Sequence, residues 1–116
     1  MTWRTFFLAI ALTVLRGSVP SAYADGSYSL IGYGERSCGT WTADRRADPS
    51  SLVSMLEEQR VLGFLSGVGF TNFHNMDPLN NTDAEGVWGW MDNYCQANPL
   101  DNIAYAAGQF TIAHPH

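Results

Sequence analysis

Two cysteines behind an export leader set the tightest limit on what this chain can fold into. Residues 5–15, TFFLAIALTVL, form an apolar-leaning run after Arg4, and Ala22 and Ala24 take the small-residue positions before a cut. That is the pattern of a secretory signal peptide over residues 1–24. The run is too short to cross a membrane, which takes about 20 apolar residues. Removing 24 of the 116 residues leaves 92, residues 25–116, read as a single domain. A chain of this size buries a modest core, so a covalent tie helps it. Export to an oxidising space and an even cysteine count predict a disulfide between Cys38 and Cys95. Closing a ring of 58 residues, counting both cysteines, contributes about 4 kcal/mol on the chain-entropy account.

The hydrophobic pattern is helical throughout. Residues 35–46 read as a first helix with Cys38, Trp41 and Thr42 on one side. Asp48-Pro49 suits the start of a long second helix through residue 70, its apolar face built from Leu52, Leu56, Val61, Phe64, Leu65 and Val68. Glu57 and Glu58 are expected on its solvated side. Gly63, Ser66 and Gly67 make a patch of small residues, suited to a close helix neighbour or a frayed end. Thr82 and Glu85 form a capping box for a third helix, with Ala84, Val87, Trp88, Met91 and Cys95 as a buried stripe. Asn98-Pro99 is expected to open the fourth, with Leu100, Ile103, Ala104, Ala107 and Phe110 facing inward. The expected fold is all-α: a compact bundle of about four helices stapled by one disulfide.

Residues 70–81, FTNFHNMDPLNN, read as a loop in which Phe70, Phe73, Met76 and Leu79 recur at every third position. Such a loop either folds back over the core or meets a partner. With Trp90 at the edge of the third helix, these four are the candidate protein-contact residues.

The composition excludes several functions. Cleavage removes Arg4 and Arg16, leaving four arginines against eleven acids, a net charge of −7, with no lysine. Nucleic-acid binding requires clustered cations, and none is present. No second segment qualifies as membrane-spanning. The histidines, His74, His114 and His116, share no motif with either cysteine. Ser66 in FLSGVG lacks the glycine of a nucleophile elbow. His114 and His116 offer two imidazoles on a chain end, against the four ligands of a structural zinc site. Asn80-Asn81-Thr82 matches a glycosylation sequon. No catalytic residue, cofactor or metal is expected, and the sequence carries no mark of oligomeric state.

VLGFLSG and VWGWMDNYCQANPLDNIAYAAGQF, preceded by a leader and by Cys38 with Trp41, resemble small exported helical proteins of Gram-negative bacteria. These include periplasmic acid-stress chaperones of the HdeA/HdeB type and immunity proteins of the Rap/Tai kind, which neutralise amidase toxins. The pieces GFLSG and W-x-D-x-Y-C-x-x-x-P-L are closest to an uncharacterised group of the same build. The resemblance implies a helix-linking cystine, Cys38 with Cys95, and no catalysis. Lysine-rich ends, which keep HdeA-type complexes soluble in acid, are missing. The expectation is a non-enzymatic periplasmic or secreted protein that binds another protein, an immunity-type role being one form of it. The alternatives are an acid-stress chaperone and, in another class, a small hydrolase or metal-handling protein.

Overall fold

The computed structural model describes residues 28–115; the leader reading lies outside them. Four helices follow one another: α1 Cys38–Ala47, α2 Leu52–Thr71, α3 Ala84–Ala97 and α4 Ile103–Ala113. Short 3-10 turns sit at Tyr33–Glu35 and Phe73–Asn75. There is no strand among the described residues, and the all-α, disulfide-stapled bundle expected from the sequence is the fold.

Every helix begins on a side-chain cap. Ser37, Ser51, Asp83 and Asn102 accept from the backbone N–H three residues on. Each satisfies a donor that the first helical turn leaves free, worth about 1 kcal/mol. All four starts differ from those read in the sequence. Asp48 closes α1 instead of opening α2, because its backbone and side-chain oxygens take the N–H groups of Ser51 and Ser50 and bend the chain around Pro49. Asp83, not Thr82, caps α3. Asn98 ends α3 by donating its side-chain amide to Tyr94 O, which leaves Leu100 in the turn and fully in solvent.

The N-terminus of α1 is clasped to the turn between α3 and α4. Cys38 N–H donates to Asp101 O at 2.7 Å, and Gly39 N–H to Pro99 O at 3.0 Å. In return Ile103 N–H donates to Arg36 O at 2.9 Å. This exchange brings the Cα atoms of Cys38 and Cys95 to 4.6 Å, and their sulfurs are bonded. The cystine lies wholly inside the core, with Trp41, Val61, Leu65, Val87, Met91, Ile103 and Phe110. The stripe read on α3 is buried as expected at Val87, Trp88, Met91 and Cys95.

The face of α2 is different from the one expected. Its buried positions are Ser54, Glu57, Val61 and Leu65, spaced at three and four residues, so a serine and a glutamate sit in the seam. Leu52 is 70% exposed, and Leu56 and Phe64 are exposed as well. The small residues do not receive a helix or fray: α2 runs unbroken to Thr71, and Gly63 and Gly67 face open space. Asn72, in the left-handed conformation at φ 49°, caps its end by donating to Gly69 O and Val68 O.

Candidate binding groove

The helix α4, IAYAAGQFTIA, contains no charged side chain. Ile103, Ala106, Ala107 and Phe110 fill the core from one side of it. The other side is largely apolar: Ala104, Tyr105, Gly108 and Ile112, with Gln109 and Thr111, remain for a second surface. A helix apolar all round calls for a cover on both faces. Across from that second face stand Phe64 and Val68 of α2, with Phe73 and Met76 of the following loop at one end and Tyr28 beside them. Together they enclose an open groove of about 510 Å³, within the range of sites that take a small ligand or a peptide side-chain cluster.

The loop is fastened where it lines the groove. Asp77 N–H donates to Pro115 O at 3.2 Å, tying it to the end of α4. Pro78 is buried and Leu79 packs on the core. Asn72, His74 and Asn75 all have φ between 49° and 58°, a left-handed region that asparagine and histidine tolerate best among side-chain-bearing residues. These turns present Phe73 half in solvent, edge-on to His74 with ring centres 4.2 Å apart.

Of the five contact candidates from the sequence, the groove collects two, Phe73 and Met76. Phe70 lies on the last turn of α2 and is 92% exposed, outside the groove lining. Leu79 has folded back onto the core. Trp90 is half-buried in an aromatic cluster: stacked on Tyr94 at 5.1 Å and edge-on to Phe110 at 5.2 Å. His114 stacks on Phe110 at 4.1 Å, with its Nδ1 3.0 Å from Phe110 O; His116 lies outside the described residues. Tyr94 is anchored by donating to Asp101 Oδ2 at 2.6 Å, and burial with that bond pushes its hydroxyl up to about 12. Tyr105, Gly108, Ile112, Phe64 and Val68 were not read as contact residues. The signal for Tyr105, Gly108 and Ile112 is the absence of charge anywhere in α4, whereas Phe64 and Val68 belong to the apolar face expected of α2.

Outside the groove, a polar junction ties α1, α2 and α3 together. Arg45 of α1 grips both oxygens of Asp92 on α3 and reaches Glu58 on α2. Trp41 donates its indole N–H to the same Asp92 at 2.8 Å, and the guanidinium lies over the Trp41 and Trp88 rings at 5.3 and 6.0 Å. The hydrogen bond with Asp92 raises the Arg45 pKa most, while burial raises that of Glu58. A single arginine thus joins three helices and is saturated by them. The small hollow beside it, about 200 Å³, is rimmed by Thr42, Arg46, Pro49 and Gln96.

Cys38 and Cys95 are bonded to each other, so neither offers a thiolate. Among the described residues no three His, Cys, Asp or Glu side chains converge as metal ligands, and no helix is long and apolar enough to cross a membrane. No protein-family model matches the chain, and neither a curated protein nor a solved structure is similar to it.

Proposed function

We propose that this protein is a non-enzymatic, exported binding protein that takes an apolar segment of another protein into the groove between α2 and α4. The observation that carries this reading is the groove itself: about 510 Å³, lined mostly by aromatic and aliphatic side chains, with Gln109 and Thr111 among them and no charged residue. An apolar helix face laid into such a groove is a recurrent mode of recognition. Tyr105, Phe64 and Phe73 supply the rigid aromatic anchors that dominate binding energy at interfaces. The buried cystine is compatible with an oxidising compartment, which supports a periplasmic or secreted location.

The acid-stress chaperone reading has less support. Such a chaperone exposes its core when acid breaks its ties. Here the carboxyl most deeply buried in the helix seam, Glu57, loses an unfavourable charge on acidification.

Affinity purification from the exported fraction tests the proposal with two matched variants. Ile112→Asp puts a charge in the groove, and Leu52→Asp puts one on the outer side of α2. Loss of a partner with the first and its retention with the second is the expected result. Equal retention by both would overturn the groove as the binding face.

A further inference from the structure

Glu57 is 0% exposed, at the centre of the α1–α2 seam. Both its carboxylate oxygens are buried and accept no hydrogen bond. Its one cation is Arg36, whose Nε stands 2.9 Å from Oε1 at an ion-pair distance but outside hydrogen-bond geometry. That guanidinium is shared: its other end donates to Asp44 Oδ2 at 2.9 Å. Two carboxyls therefore converge on one arginine: Glu57 is sealed from water, while Asp44 and Arg36 reach the rim of the seam, 27% and 36% exposed. Ionised, Glu57 keeps two empty acceptors and only a share of one guanidinium, which is costly for a buried carboxylate.

We propose that Glu57 carries a proton and donates it in a hydrogen bond to Asp44 beneath Arg36, forming a proton-linked clasp that holds α1 on α2 in mild acid and loosens as the pH rises. Protonated, Glu57 leaves one net carboxylate for one guanidinium. Burial and the charge of Asp44 raise the Glu57 carboxyl to about 7, against the partial relief that Arg36 gives. The other charges around it do not rescue the ionised form. Glu58, its neighbour on α2, is negative and raises it further, and Arg45 is spent on Glu58 and Asp92. The α4 face packed on α2 carries no charge, with Tyr105 exposed there. From the turn before α1, Tyr33 stacks under Arg36 and Glu35 is exposed. Arg60, one helical turn on, lies over Gly34, where a side-chain carbon would come within 3.0 Å of its Nε. His74 and Asp77 lie in the loop beyond the far end of α2.

The sign follows from linkage. A carboxyl whose folded pKa lies above its unfolded value stabilises the fold fully below about 4.5 and loses that contribution as pH rises through about 7. Because Arg36 O also holds Ile103 N–H, a loosened clasp reaches the N-terminus of α4.

The test is a pair of measurements on the exported protein. Carbon-detected NMR of the Glu57 carboxyl should show a midpoint above 5.5; a midpoint at or below 5.5 overturns the clasp. Urea unfolding of wild type and Glu57→Gln should be compared at pH 5 and pH 8. Glutamine imitates the protonated side chain, so wild type should lose stability relative to Glu57→Gln as pH rises, by tens of fold in the folded-to-unfolded ratio. A ratio between the two proteins that stays constant, or moves the other way, overturns it. Asp44→Asn supplies a second handle: it removes the like charge, and the Glu57 midpoint should fall below that of wild type. An unchanged midpoint in that variant would show that the two carboxyls share nothing.

Discussion

The two long sides of this bundle hold their neighbours by different means. On the α1–α3 side a cystine, a three-helix arginine junction and a reciprocal set of backbone bonds fix α1 in place. On the α2–α4 side the contacts are apolar, and more apolar surface is present than the core uses. Directional ties specify one arrangement and leave little to offer a partner. Undirected apolar surface stabilises in proportion to its area, whichever molecule covers it. A small stapled fold has room for a binding surface away from its staples, where the scaffold is already held.

The sharpest way to break the comparison is to remove the staple. Cys95→Ser should lower stability by about 2–5 kcal/mol, because it releases the 57-residue separation in the unfolded chain and leaves a hydroxyl in the core. Thermal melts under oxidising conditions measure it, and an unchanged melting temperature would deny the cystine its structural part. Next comes Arg45→Met, which keeps the apolar stem but strands Asp92 and Glu58. Fully buried pairs lose about 3–5 kcal/mol when broken. Asp92 is partly in solvent, so about 2 kcal/mol is expected here by urea unfolding. A smaller loss, about 1 kcal/mol, is expected for Asn102→Ala, which frees Tyr105 N–H at the start of α4. The groove variant Ile112→Asp should change stability least, within about 0.5 kcal/mol, since the side chain is exposed. Its effect belongs to binding. A large stability loss there would show that the groove is part of the core.

How far the sequence carries depends on how many faces a helix has to choose from. In α3 the apolar residues make one stripe, and Val87, Trp88, Met91 and Cys95 are buried as the spacing requires. In α2 apolar side chains surround the axis, so periodicity alone does not select a face. Leu52, Met55, Leu56 and Phe64 stay exposed, and Glu57 goes inside. The choice is made by Arg36, Asp44 and Arg45 of the preceding segment, whose positions are tertiary information. Helix starts moved by one to four residues for a local reason: Asp48, Asp83, Asn98 and Asn102 each have side-chain bonds that compete for the same N–H and C=O groups. Half of the groove is legible in the sequence. Phe73 and Met76 stand out as apolar residues in an asparagine-rich loop, whereas Tyr105 and Ile112 lie on the second apolar face of a helix whose spacing marks only one.

Two helix glycines allow the central claim to be tested on equal terms. Gly108 on α4 lines the groove, Gly63 on α2 faces away from it, and both have open space where a side chain would go. A photo-crosslinking amino acid at either position leaves the packing undisturbed. Irradiation of cells exporting each variant should give a discrete protein adduct from position 108 and none from position 63. An adduct from position 63 with none from 108 would contradict the account and move the binding face to the outer side of α2.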